Sequence, residues 1–279
     1  MSLTERALWV IERHLDRPLT LDDIASACGA SKYHLVRAFG ASTGYSVMQY
    51  VRGRRLSAAA ELLAHGTKDI LRLALATGYG SHEAFSRAFR AQFARTPEAV
   101  RRNGTTEDLT MVKPMKAPQN DQADLASPRI VTGKPMLVVG LSKRQSWATQ
   151  QDIPAQWQRF MAAYADIADK VGQSPIGLGA NLDDDGNFDY LCGVEVSKFS
   201  KTPAGFTQLR IPAQTYAVFI HRDHIAKIGA THSAIWNKWL PENKKAAADG
   251  ACLERHLETF DVRTGLGGVE IWVPLQVAS

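Results

Sequence analysis

From Leu3 to about Arg102 the apolar residues recur at spacings of three and four, and no stretch alternates as a strand would. That pattern predicts an all-helical first domain over residues 1–105. Between 103 and 128 (NGTTEDLTMVKPMKAPQNDQADLASP) the period disappears and Asn, Thr, Pro, Asp and Gln accumulate. This composition reads as a linker, taken as 106–128. Beyond it PMLVVGLS, FDYLCGVEV, TYAVFIH and GVEIWVPLQ are rich in β-branched and aromatic residues and predict strands. Two helical stretches, Pro154–Val171 and Ile225–Trp239, interleave with them, so residues 129–279 form an α+β domain. It divides into two similar halves. The first runs strand Met136–Ser142, helix, then strands around Ile176–Asn181 and Phe188–Val196. The second runs strand Thr215–His221, helix, then strands around Leu253–Phe260 and Gly268–Leu275. A duplicated β-α-β-β of this kind leaves a cleft between its halves, where small-molecule sites usually lie.

The helical domain contains an internal repeat. Residues 24–39 (IASACGASKYHLVRAF) align with 73–89 (LALATGYGSHEAFSRAF) on Gly29 and Gly78. Ala25 then meets Ala74, Ser31 meets Ser81, Arg37 meets Arg87, Leu35 meets Phe85, and Phe39 meets Phe89. Each copy satisfies the needs of a helix-turn-helix. A small residue lets the helices approach, a glycine takes positive φ in the turn, and a serine caps the following helix. Leu35, Phe39, Phe85 and Phe89 would face inward. Ser46–Ala64 between the copies predicts one helix of about five turns, long enough to hold the two units apart. Two recognition helices on one face of a duplex enter successive major grooves when they stand ~34 Å apart. One chain could therefore read two adjacent half-sites.

The pattern S-K-Y-H-L-x-R-A-F, then T-G, Y, R-R-L-x-x-A and L-L, then G-Y, S-x-x-x-F-S-R-A-F-R and T-P-x-x-x-R, resembles the AraC/XylS regulators over about residues 5–102. Within them it is most similar to the Rob-like members, which place the DNA-binding domain first. The resemblance implies base-facing positions at Tyr33, Val36 and Arg37 on the first recognition helix, and at His82, Glu83, Ser86 and Arg87 on the second. Arginine can read guanine O6 and N7 bidentately, which singles out Arg37 and Arg87. Lys32, Arg52, Arg54 and Arg90 are the candidates for phosphate contact. Tyr33, Val36 and Glu83 depart from the Trp and Gln typical of Rob-like proteins, so the operator sequence does not carry over. Double-stranded DNA is the expected partner, and the resemblance implies RNA polymerase as another.

Charge agrees with the division. Residues 1–105 carry a net +6 and the remainder a net −1, which assigns a polyanion to the first domain and something else to the second. The three cysteines, Cys28, Cys192 and Cys252, are too far apart for a disulfide framework or a zinc site. No signal peptide and no run of ~20 apolar residues is evident, and the cytoplasm is the expected compartment, with no membrane partner.

In GVEIWVPLQ, Val269, Ile271 and Val273 share one face, and Glu270 and Trp272 the other. The first set is expected to pack on helices and the second to face the cleft. A carboxylate among aromatics suits a cationic or aromatic effector, through charge pairing and cation–π contact. Glu195 is the candidate from the other half, with Tyr190, Trp157, Phe219 and Trp236 as wall residues. The stretches IGLGANLDDDGNFDYLCGVEV, IPAQTYAVFIHRDHI, IWNKWLPE, LERHLETFD and VEIWVPL resemble the GyrI-like effector-binding domain. That resemblance implies a small-molecule effector held near an acidic residue.

Catalytic motifs are lacking: no G-x-S-x-G elbow, no P-loop, and only Gly177-Leu178-Gly179 of a dinucleotide fingerprint. His221 and His224 read as surface residues, and Asp183–Asp185 as a turn. No cofactor, metal or catalytic residue is expected. The sequence thus reads as a regulator rather than an enzyme. A hydrolytic or protein-inhibiting second domain tethered to DNA stays open as the alternative.

Overall fold

The computed structural model describes residues 1–116, 125–172 and 174–276. It divides into two compact units, one of Met1–Leu35 with Tyr45–Ala117 and one of Val36–Gly44 with Pro118–Ser279. No described helix is long and apolar enough to cross a membrane.

Seven helices make up the N-terminal region: α1 (Leu3–Arg13), α2 (Leu21–Ala27), α3 (Lys32–Thr43), α4 (Val47–Ala64), α5 (Ile70–Ala76), α6 (His82–Phe93) and α7 (Pro97–Asn103). Their boundaries follow from capping chemistry. Ser2, Thr20 and Ser46 each close a capping box with the residue three positions on, Glu5, Asp23 and Gln49. Asp69, Ser81 and Thr96 accept from the third amide of α5, α6 and α7, and Pro97 opens α7. Ser31 likewise accepts from the His34 amide at 3.2 Å. The two predicted turns are present, with Gly29 at φ 63° and Gly78 at φ 85°, the left-handed region that glycine enters without strain. Leu35, Phe39, Phe85 and Phe89 are fully buried. Around the second turn, Phe85, Phe89 and Phe93 join Leu56, Leu63, Leu73 and Val100 in one apolar cluster. Leu109 and Met111, from the stretch expected as linker, pack against the same cluster.

The C-terminal region is built on one eight-stranded antiparallel sheet, in the order β1-β6-β8-β7-β3-β4-β2-β5. The strands are β1 (Arg129–Gly133), β2 (Met136–Ser146), β3 (Ile176–Ala180), β4 (Asn187–Val196), β5 (Thr207–Ile211), β6 (Gln214–His221), β7 (Cys252–His256) and β8 (Val269–Pro274). Helix α8 (Ile153–Ala162) lies between β2 and β3. Helix α9 (Ile228–Ala234), extended by a π turn over Ile235–Trp239, lies between β6 and β7. The duplication is therefore real: β2-α8-β3-β4 and β6-α9-β7-β8 meet at the β3–β7 seam. Two short strands were missed in the sequence, and they exchange halves. β1 precedes the first half but pairs with β6 of the second, while β5 precedes the second half and pairs with β2 of the first. Helix α8 is shorter than Pro154–Val171: it ends at Ala162, capped by Ala163 at φ −104° and ψ 3°, and a 3₁₀ turn over Tyr164–Asp166 then leads to the extended, buried Ile167.

The sheet has two unlike faces. One carries Phe188, Tyr190, Cys192 and Val194 against Phe160 of α8, together with Phe219 against Trp239 of the π turn. The other carries Val138, Ile176, Leu178, Leu191, Val218 and Leu253.

Candidate functional site

The phenylalanines of α6 fix which side of that helix is turned out. Phe85, Phe89 and Phe93 stack inward at centroid separations of 5.5 and 4.7 Å. This leaves Glu83, Arg87 and Arg90 exposed, with Ser86 half-buried among them. These residues and Ala91 line a shallow groove of about 540 Å³. His82, read as base-facing, is instead drawn to Glu98 on α7, with Nε2 3.0 Å from Oε1. On α3, Tyr33 is half-buried, while Val36 and Arg37 are buried and belong to the second compact unit.

Among the four phosphate candidates the structure discriminates. Arg90 and Arg52 are exposed, and Lys32 sits 3.4 Å from Asp22 with both side chains largely solvated. Arg54 is a correction. Its Nε and Nη2 each donate to Glu12 at 2.9 Å and its Nη1 donates to the Val112 carbonyl at 3.0 Å. Its side chain is only 12% exposed, so it cannot also hold a phosphate.

In the second domain the structure separates residues that the sequence grouped. The expected inward set Val269, Ile271 and Val273 is buried, and Ile271 pairs in register with Phe219 on the helix-covered face. Glu270 and Trp272 point to the opposite face, away from both helices. There Trp272 Nε1 donates to Glu270 at 2.9 Å, Arg129 pairs with Glu270, and Arg255 lies 5.0 Å from the Trp272 ring centre and 3.2 Å from Glu195. Glu195, Glu270 and Trp272 thus form an ion-paired cluster on the face away from the helices, the side to which the strand alternation assigned Glu270 and Trp272. Phe219 and Trp236 are each 1% exposed and belong to the core.

Tyr190 and Trp157 do meet on the helix-covered face, around a residue the sequence reading passed over. Glu254 on β7 accepts from the Tyr190 hydroxyl at 2.9 Å, and its other oxygen is 2.9 Å from His232 Nε2 on α9. Trp157 Nε1 donates to the same hydroxyl at 3.3 Å and its ring stacks on His256 at 4.9 Å. Gln156 pins α8 beside this group by donating to the carbonyls of Leu141 and Tyr190, at 2.9 and 2.8 Å. Gly177 makes the arrangement possible, since a Cβ there would lie 2.5 Å from the Tyr190 oxygen. Burial alone would push the Glu254 carboxyl up, but His232 and Tyr190 outweigh it and hold the group below its ordinary range. Burial raises the Tyr190 hydroxyl and lowers His256. The result is a carboxylate ringed by Tyr, Trp and two His, contributed by both halves of the duplication. The signal for it was present: LERH alternates, so Leu253 and Arg255 face one way and Glu254 and His256 the other.

Among the described residues no group of three or more His, Cys, Asp or Glu is placed to hold a metal ion. His221, read as a surface residue, is buried, with Nδ1 2.8 Å from the Thr231 hydroxyl.

This duplicated sheet with its paired helices coincides with the match of the GyrI-like small molecule binding domain family, over residues 126–276. The chain belongs to the GyrI-like family. In this GyrI-like protein a helix-turn-helix domain family also matches residues 7–103, covering both repeats. Relatives include the right origin-binding protein of Escherichia coli (strain K12), 34% identical over 144 residues, which are 52% of this chain and 48% of that protein. The transcriptional regulator Rob of Salmonella typhimurium (strain LT2) is 39% identical over 109 residues, 39% of this chain and 37% of that one. Regulatory protein SoxS of Escherichia coli (strain K12) is 42% identical over 91 residues, 33% of this chain and 85% of SoxS. The chain spans about half the length, or less, of the first two.

Proposed function

We propose that this protein is a sequence-specific DNA-binding transcriptional regulator whose GyrI-like domain takes a cationic, aromatic small molecule at Glu254. The observation that carries the DNA half is the stripe Glu83–Ser86–Arg87–Arg90, turned outward by the three buried phenylalanines of α6. Arg87, exposed on this stripe, is assigned the bidentate reading of a guanine edge, and Arg90 one turn on a phosphate contact. Tyr33, Val36 and Arg37 are the matching side of α3, and its use requires Val36 and Arg37 to be uncovered.

The effector half rests on Glu254. A partly buried carboxylate whose neighbours are a phenol, an indole and two imidazoles attracts a delocalised cation through charge and ring faces together. An effector acts only by binding one state of the protein better than another. RNA polymerase is the partner through which such a regulator would change transcription, in the cytoplasm of a bacterial cell, and no catalytic step is required.

Selection from a pool of random duplexes with the full chain tests this reading. A defined enriched motif is expected, bound more tightly than the starting pool. Equal binding to enriched and random duplexes would sink it.

A further inference from the structure

The segment that follows α7 does not leave the helical domain at once. Asp108 pairs with Arg95, just past the end of α6, at 3.2 Å. Leu109 is buried in the cluster that holds Phe93 and Val100. The chain then runs back along α4, where Val112 donates its amide to Ser57 Oγ at 2.9 Å and accepts from Arg54 at 3.0 Å. Gly53 leaves the seat for its side chain, since a Cβ there would lie 2.7 Å from Val112 Cγ2. Finally the Met115 amide donates to the Tyr50 hydroxyl at 3.0 Å, and that hydroxyl donates to Glu12 of α1 at 2.7 Å.

The segment is thus fastened at one end to the second helix-turn-helix and at the other, through Tyr50 and Glu12, to the first. We infer that Thr106–Met115 is a strap that sets the separation of the two units along α4, and that Gly53, Ser57 and Tyr50 are positioning residues for reading two half-sites at once. The inference rests on the DNA-binding reading above. Its physical basis is that a second half-site adds affinity only when both recognition helices are held at the spacing of successive grooves. The linked gain can reach ~10²–10⁴ and vanishes when the geometry does not match.

The test uses full-length protein carrying Gly53→Ala and Ser57→Ala, which push Val112 off its seat and remove the acceptor of its amide. Alanine favours helix more than glycine does, so α4 itself is not put at risk. Spin labels at S26C on α2 and A91C on α6 report the separation by double electron–electron resonance, and the native cysteines are buried. The native protein is expected to give one narrow distance and the variant a broadened or shifted one. An unchanged distribution overturns the strap. On a selected duplex the variant should lose about tenfold or more of the advantage conferred by the second half-site, while binding to a single half-site is retained. Equal losses on both duplexes also overturn it. If the native protein itself gains nothing from a second half-site, the two-groove reading fails, and the distance measurement still decides the strap.

Discussion

Arg54 on α4 grips Glu12 on α1 with two nitrogens, each 2.9 Å from a different carboxylate oxygen. Tyr50 adds a third donor to the same carboxylate, at 2.7 Å. Burial would push Glu12 up, but the bonds from Arg54 and Tyr50 and the charge of Arg54 outweigh it and hold the carboxyl below its ordinary range. A carboxyl depressed in the folded state binds its proton less readily there than in the unfolded chain. Its contribution is therefore full above the unfolded value of about 4.3 and is lost as pH falls through the lower folded value. Glu12→Gln should cost about 2 kcal/mol at pH 7. The deficit relative to the native protein should shrink below about pH 4, read from urea midpoints at several pH values. A deficit constant from pH 7 to 3 contradicts this assignment.

Arg90 and Arg54 should separate cleanly on DNA. Arg90→Ala is expected to weaken binding to all sequences alike and to reduce the salt slope by about one. On a single half-site, where the Val112 seat is not at issue, Arg54→Ala should lower the thermal midpoint and leave the slope unchanged. A salt-slope change there would mean the Glu12 pair opens to release a phosphate ligand.

Arg87→Ala should cost about 1–3 kcal/mol on the selected duplex and much less on random DNA, measured by fluorescence anisotropy. A uniform loss on both would demote Arg87 from base reader to phosphate contact.

Glu254→Gln should abolish saturable binding of a planar lipophilic cation such as crystal violet, followed by tryptophan quenching. Trp272→Phe, on the opposite face of the sheet, should leave that affinity unchanged. The reverse result would move the site to the Glu270–Trp272 cluster that the strand pattern first suggested.

Much of this was legible in the chain and some of it was not, for physical reasons. The helix-turn-helix repeat could be read because its turns, caps and inward residues are all local, so Gly78, Ser81 and Phe85 declare themselves within eight positions. The alternation in GVEIWVPLQ placed Val269, Ile271 and Val273 on the helix side. It could not say that a second carboxylate, Glu254, sits among rings on that same helix-covered side. Glu254 was missed because its partners come from three distant elements, β4, α8 and α9. The strands β1 and β5 were missed because five residues such as TQLRI carry little pattern, and their role is an exchange between halves that only the pairing reveals. Arg54 looked like any other arginine of RGRR until Glu12, 42 positions away, was found beside it.

That one chain reads two successive grooves is tested most directly by hydroxyl-radical footprinting of the full-length protein on its selected duplex, with the stoichiometry measured on the same sample. The predicted result is two protected patches centred about one helical turn, ~10 base pairs, apart on one face, with one chain per duplex. A single patch per chain, or two patches that appear only when two chains are bound, would contradict it.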